Sequence, residues 1–297
     1  MTFSVVIVLH NSAGELPALL GSLSLLTEPP QLIVVDTGSH DDGAELARAA
    51  GAEVVELGTN PGFGAANNAG VERARHAVTV LLNPDCELLD GSLDKLAAAA
   101  AASPERLWVP RLLDTDGAVQ RSAHPLPGTV GALLPALVHP TALPRGLRER
   151  AEPYRSERSR TVGWAIAACV AARTDTLRRL GPFDPGQFLF FEDMDLCLRA
   201  RAAGAPTVLD PSVRIRHLGG HATRRAYDGE PHELLARRRR DVVLAGRGRT
   251  ARALDDAAQA LTFVTRAAAR RALRREADRE TAQLSALLRA FRAPGAQ

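Results

Sequence analysis

The chain has 297 residues, 45% of them hydrophobic, enough to bury the core of one large domain or of one domain with an appendage. No run of about 18 apolar residues occurs, so a spanning helix is not expected. The start MTFSVVIVLHNS lacks the basic region and small-residue cleavage site of a secretory leader, and three widely spaced cysteines, Cys86, Cys169 and Cys197, suit reduced buried thiols in a cytoplasmic protein.

The net charge of +3 hides an asymmetry: residues 1–100 carry 13 acids and 4 bases, residues 232–297 carry 7 acids and 15 bases. Lys95 is the single lysine, so the basic charge is almost all arginine.

In chain order, SVVIVL at Ser4–Leu9 is a continuous β-branched run, the pattern of a strand covered on both faces. Ser12 and Glu15 have capping-box spacing, and Leu16, Leu19, Leu20 and Leu23 follow at helical intervals. LIVVD ends a second strand at Asp36. TGSHDDG turns the chain into a helix over Ala44–Ala50, and EVVEL is a third strand. GTNPGFG leads into a helix over Ala65–His76, and VTVLL is a fourth strand. Alternating strands and helices imply a parallel α/β sheet, which binds ligands outside the carboxyl ends of its strands. Asp36, the loop Asn60–Gly64 and the turn Asn83–Pro84–Asp85 all fall at such ends.

Further on, 103–121 reads as a strand and a hairpin with DTDG at the turn. Residues 122–160, rich in proline, arginine and glycine, read as a long loop. A buried segment starts at Gly163, a helix runs to Leu180, and GPFDP breaks it. The apolar approach QFLFF leads to a helix over Glu192–Gly204. TVLD and VRIRH read as two short strands. From His232 the chain is helical, with a break at the GRG of 246–248.

The loop GFGAANNAG has two glycines between a strand and a helix, as a dinucleotide fingerprint does. The third glycine position is Asn67, however, and the loop follows the third strand rather than the first. The alternative is a tight turn alone, against which the amides Asn67 and Asn68 favour a polar ligand. A lone Asp85 would fit a mere turn former. Asp36 at another strand end, the cluster Glu192, Asp193 and Asp195 at a helix start, and His217 at a strand end change that reading. Carboxylates with one imidazole suit Mg²⁺ or Mn²⁺ holding phosphate oxygens. His217 and His221 are separated by two glycines with no cysteine near, which argues against zinc.

Together these stretches resemble family 2 glycosyltransferases of the GT-A fold, in particular their rhamnosyltransferase-like branch. The matching segments are SVVIVLHNS, IVVDTGSHD, NPGFGAANNAG, LLNPDCEL, GPFDPGQFLFFEDMDLCLRARAAG and IRHLGGHAT, in the family's order over residues 3–225. The resemblance implies a Rossmann-like, mostly parallel central sheet flanked by helices. It implies a catalytic domain at 1–231 and a basic helical extension at 232–297. Asp36 is then expected at the nucleobase with His10 and Asn11 beside it. Gly62, Gly64, Asn67 and Asn68 would line the nucleotide pocket. Asn83-Pro84-Asp85 stands where relatives carry Asp-x-Asp, so Asp85 would be the metal acid, Asn83 a donor contact, and His217 a second metal ligand. Asp193 matches the family's base, with Glu192 beside it. A base at a helix start would be ionised but weak, leaving positioning to supply much of the effect.

The function this implies is metal-dependent, inverting transfer of a sugar, expected to be L-rhamnose from dTDP-L-rhamnose, to a cell-envelope glycan or polyprenyl-linked acceptor. The rival from another class is a non-catalytic nucleotide-sugar-binding protein. A nucleotidyltransferase would need an N-terminal glycine-rich loop with lysine, which the chain lacks. Arg237–Arg240 reads either as a solvated helix face or as a basic surface for anionic lipid at the inner face of the plasma membrane. Nucleic acid is not expected, because aromatics are 4% and do not interleave with the arginines.

Overall fold

A computed structural model describes residues 1–138, 140–184, 190–219 and 230–292. The chain forms two compact units: Met1–Ala123 with Tyr154–Ala222, and His124–Pro153 with Thr223–Gln297.

The first unit opens as the apolar periodicity predicts. Strands β1 (Ser4–Leu9), β2 (Gln31–Asp36), β3 (Glu53–Glu56) and β4 (Val78–Leu82) alternate with helices α1 (Leu16–Ser22), α2 (Gly43–Ala49) and α3 (Phe63–Arg73). All six β1 side chains are buried. Val5, Ile7 and Leu9 enter one core cluster, and Val6 and Val8 enter the cluster on the other face. Each such side chain contributes about 1.5–3 kcal/mol when fully buried. The capping box does not form: Ser12 gives its carbonyl to the N–H groups of Glu15 (3.2 Å) and Leu16 (3.1 Å), and its hydroxyl turns back to the His10 carbonyl. That main-chain turn already satisfies the N–H groups that a side-chain cap would serve.

The unit continues through β5 (Cys86–Leu88), α4 (Leu93–Ala102), β6 (Leu107–Leu113) and the short β7 (Ala123–His124). It resumes with β8 (Arg160–Thr161), β9 (Trp164–Ala165), β10 (Cys169–Arg173), α7 (Thr174–Leu180), α8 (Glu192–Ala202) and β11 (Thr207–His217). The main sheet runs β3-β2-β1-β4-β10-β6-β11-β5, with β8 also on β11. Its first four strands are parallel. Beyond them it is mixed: β10 is antiparallel to β4 and β6, β11 is parallel to β6, and β5 is antiparallel to β11. TVLD and VRIRH are one strand rather than two, with a register shift between Asp210 and Arg214 that accommodates Pro211.

Register places the strand ends side by side. Leu9 lies opposite Asp36, Cys169 opposite Leu82, and His217 opposite Cys86. The carboxyl ends of β1, β2 and β4 therefore meet the start of β10 and the end of β11.

The second unit corrects two expectations. The stretch expected as a long loop at 122–160 contains α5 (Val130–Leu137) and α6 (Arg145–Ala151). Pro144 caps the start of α6, where a fixed φ suits helix entry, whereas Pro135 lies inside α5. The C-terminal helices are α9 (His232–Ala272) and α10 (Asp278–Arg292). At the GRG break, Gly248 takes φ +82° and ψ 176°, a backbone state that other residues avoid. Across this bend Arg239 makes two bonds to Asp255, both 2.8 Å, and Arg240 one to Asp256, also 2.8 Å. Arg240 also lies 4.3 Å over the Phe291 ring, and Arg237 pairs with Glu233. Two of the run's four side chains thus brace the helices from within, where a lipid-facing surface would turn all four outward. No helix among the described residues is long and apolar enough to cross a membrane.

Candidate active site

The end of β1 and the end of β2 are stitched together by short polar bonds. Thr37 donates its hydroxyl to the Leu9 carbonyl (2.8 Å) and so accepts from His10 Nδ1 (3.1 Å), which fixes the otherwise exposed His10 ring. Asn11, at φ +52°, donates its N–H to Ser39 Oγ and accepts the His40 N–H at 2.8 Å. Asp36 is buried. Its Oδ2 accepts the N–H groups of Gly38 and Ser39, each at 3.2 Å, while Oδ1 is buried with no partner among the described residues. A buried acceptor without a donor costs about 1–3 kcal/mol, a cost that an N–H from outside the chain would relieve.

The glycine-rich loop serves packing as much as recognition. Gly62, at φ +96°, caps α3. A Cβ on Gly64 would lie 2.7 Å from the Phe183 Cβ, so only glycine lets α3 close on the GPF turn. Phe63 meets the Phe183 ring edge to face at 5.5 Å. Asn67 is buried with its amide on the Phe63 carbonyl. Asn68 commits both amide ends to the Phe183 main chain, donating at 2.8 Å and accepting at 3.0 Å. These two amides hold the loop, and the hydrogen bonds they make here are internal to the protein.

At the end of β4, Asn83 donates its N–H to the Ala168 carbonyl and accepts the Cys86 N–H at 3.1 Å. That is a tight turn with Pro84 at its second position, where a fixed φ is preorganised. Asp85 leaves the turn toward β11. Its carbonyl takes the Leu218 N–H, its Oδ2 takes the Gly219 N–H at 3.0 Å, and its Oδ1 faces His217 Nε2 at 3.4 Å. Burial pushes the His217 pKa down, against the pull of Asp85. Among the described residues no group of three His, Cys, Asp or Glu side chains converges on a metal position. Asp85 and His217 nonetheless present one carboxylate oxygen and one imidazole nitrogen to the same point. That donor set fits a divalent cation whose other ligands are phosphate oxygens and water. His221, weighed above for zinc, lies outside the described residues, as do 185–189 in the approach to α8.

Asp193 sits in the first turn of α8, after two residues strained into the left-handed region, Phe190 (φ +69°) and Phe191 (φ +64°). One edge of Asp193 stays open to solvent, but protein atoms surround the rest. Burial pushes its carboxyl up to about 6, against the N–H groups of Met194, Ala167 and Asp193 itself. Desolvation outweighs the helix start, so this carboxyl is more basic than its position at a helix start suggests, while still mostly ionised at neutral pH. Glu192, the first residue of α8, is partly buried beside it. Asp195 is structural. It pairs with Arg199 at 2.7 Å, and Arg199 also donates to the carbonyls of Leu180, Gly181 and Pro182, holding the GPF turn.

Just before β10, Ala168 accepts the Asn83 N–H, and the N–H of the preceding residue, Ala167, acts with those of Met194 and Asp193 to pull the Asp193 pKa down. The sequence reading missed Gln120, which bonds His217 twice across 97 residues. Arg199 was findable, since it lies four residues after Asp195 on a helix.

A half-parallel sheet with an acid at the end of β2, a tight Asn-Pro-Asp turn and a buried acid opening a late helix defines a glycosyltransferase of the GT-A fold. The chain belongs to glycosyl transferase family 2, whose model matches residues 4–172. It is similar to the N-acetylglucosaminyl-diphospho-decaprenol L-rhamnosyltransferase of Mycobacterium tuberculosis, with 31% identity over 240 residues, 74% of this chain and 77% of that protein. In fold it is similar to the mannosyltransferase PcManGT from Pyrobaculum calidifontis, solved in complex with GDP-Man and Mn²⁺. The TM-score is 0.60 at 15% identity, covering 97% of this chain and 85% of that one. It is also similar in fold to S. aureus TarS 1–349 in complex with UDP-GlcNAc, with a TM-score of 0.54 at 18% identity, covering 89% and 71%.

Proposed function

We propose that the chain is a metal-dependent, inverting glycosyltransferase that moves L-rhamnose from dTDP-L-rhamnose to a hydroxyl of a lipid-linked cell-envelope glycan precursor. The observation that carries this reading is the convergence of Asp85 and His217 beyond the ends of β4 and β11, where one carboxylate oxygen and the imidazole Nε2 face each other at 3.4 Å. The rhamnosyl donor and the lipid diphosphate acceptor are taken from the mycobacterial relative's name.

In this reading the unpartnered Asp36 Oδ1 accepts the ring N–H of the donor's thymine, and His10 and Asn11 border the base. Gly62, Gly64, Asn67 and Asn68 shape the wall of the nucleotide pocket, and Asn83 lies against the donor. Asp85 and His217 hold Mg²⁺ or Mn²⁺, which when bound neutralises charge on the departing nucleoside diphosphate. Asp193 removes the proton from the acceptor hydroxyl as that oxygen attacks the anomeric carbon from the face opposite the diphosphate. Its carboxyl near 6 leaves it mostly ionised at neutral pH and basic enough to share the proton. Glu192 borders the acceptor side. All of these residues lie within 1–231. The lipid-linked acceptor would bring the enzyme to the inner face of the plasma membrane.

The test is a thermal-shift screen of dTDP-, UDP- and GDP-sugars with and without Mn²⁺. Transfer to polyprenyl-diphospho-N-acetylglucosamine follows, with the product's anomeric configuration read by NMR. Stabilisation by dTDP-rhamnose only with metal, and an inverted product, are expected. Donor binding without transfer to any acceptor would leave a binding protein of the same fold. Retention of configuration would remove Asp193 from its role.

A further inference from the structure

Gln120 is anchored at the hairpin after β6, where its N–H bonds the Leu112 carbonyl at 2.9 Å. Its side chain reaches His217 by both ends. Nε2 donates to the His217 carbonyl at 2.5 Å, and Oε1 lies 3.0 Å from His217 Nδ1. The amide has one orientation available, since reversing it would set two carbonyl oxygens against each other at 2.5 Å. An amide oxygen only accepts, so the Nδ1 facing it carries the hydrogen.

In the neutral ring Nε2 is then a bare lone pair, and it points at Asp85 Oδ1 at 3.4 Å. Two acceptors facing each other repel unless a proton or a metal cation lies between them. The other tautomer would relieve the repulsion differently. An Nε2–H would donate to Asp85 Oδ1, and a His217–Asp85 hydrogen bond would occupy both groups that the proposed function assigns to the cation. Asp85 cannot easily turn away, because its Oδ2 is held by the Gly219 N–H.

We infer that Gln120 is a positioning residue: it selects the Nδ1–H tautomer of His217 and so keeps Nε2 and Asp85 Oδ1 open toward a divalent cation. This rests on the proposed metal role of that pair. Partners of this kind typically change metal affinity by about 10–100-fold when removed.

The tautomer is read directly in metal-free, ¹⁵N-labelled full chain by long-range ¹H–¹⁵N correlation, with His217→Gln assigning the signal among eight histidines. Wild type is expected to carry its hydrogen on Nδ1, and Gln120→Met and Gln120→Ala on Nε2. Mn²⁺ titration followed by electron paramagnetic resonance, with dTDP present, is expected to show affinity weakened about 10-fold or more in both variants. A wild-type ring with hydrogen on Nε2, or a folded Gln120→Met with unchanged tautomer and unchanged Mn²⁺ affinity, overturns the inference. The expected tautomer change with no Mn²⁺ binding by wild type would sink the metal reading of the site and leave the control of His217 by Gln120 in place.

Discussion

Asp193→Asn separates the chemistry of the site from its stability. The amide keeps the shape of the carboxylate, and its oxygen can still accept the Met194 N–H that now lies 2.7 Å from Asp193. It cannot take a proton from an acceptor hydroxyl, so turnover should fall by about 10²-fold or more with donor affinity near normal. Burial raises the carboxyl from 3.8 to about 6. Holding it ionised at pH 8 therefore costs the folded state up to about 3 kcal/mol, less what the solvent-open edge screens. The sign follows from the raised value. The protonated acid's stability is complete below about pH 4 and is lost as pH rises through about 6. Above pH 6 the variant should melt a few degrees higher than wild type, and the gap should narrow toward pH 4. Wild-type kcat/KM should climb through about pH 6. Calorimetry at pH 5 and pH 8, beside a pH–rate profile of transfer, measures both effects. A wild-type kcat/KM flat between pH 5 and 7.5, or a variant within a few-fold of wild-type turnover, would refute the reasoning.

Four other perturbations bear on separate parts of the molecule. Asp85→Ala should weaken donor binding and abolish its response to divalent metal in calorimetric titrations; equal transfer by wild type with a chelator present would show the metal assignment to be wrong. Asp36→Asn can turn an N–H toward the position of the base N–H, and titration with dTDP should report affinity about 10-fold weaker. Gly64→Ala forces a Cβ to within 2.7 Å of Phe183 and should destabilise by about 1–3 kcal/mol in denaturant melts, with unchanged stability counting against the close packing described. Arg239→Gln with Arg240→Gln strips two largely buried acids of their arginine partners and leaves Asp255 only the Gln259 amide. It should lower the melting temperature by several degrees, whereas normal stability with lost sedimentation on anionic vesicles would restore the lipid-facing reading.

The parallel half of the sheet was legible because its strands are covered on both faces. Ser4–Leu9 and Val78–Leu82 carry unbroken apolar runs of the kind that only a central strand can use, and both appear at the expected residues. Strand ends then point to site residues without any tertiary knowledge: Asp36 and Asp85 follow from where β2 and β4 stop. The mixed half was harder, because the antiparallel entry of β10 between β4 and β6 depends on a partner 87 residues away in register, Leu82 against Cys169. Local pattern carries no trace of such pairing. The same limit hid Gln120, a polar residue in a hairpin with no periodic signal, whose partner is His217.

Charge was the least legible property. A run of four arginines carries the same sequence signature whether it faces lipid or faces acids of its own chain. What separates the two readings is Asp255 and Asp256, sixteen residues further on, and the bend at Gly248 that folds them back. A straight helix rises 1.5 Å per residue and would hold residues sixteen apart at about 24 Å, far beyond the reach of an arginine. The GRG break was visible in the sequence, and a broken helix is the condition under which basic residues on one arm can meet acids on the other. Reading the bend and the charges as one feature, instead of two, would have turned Arg239 and Arg240 inward from the start.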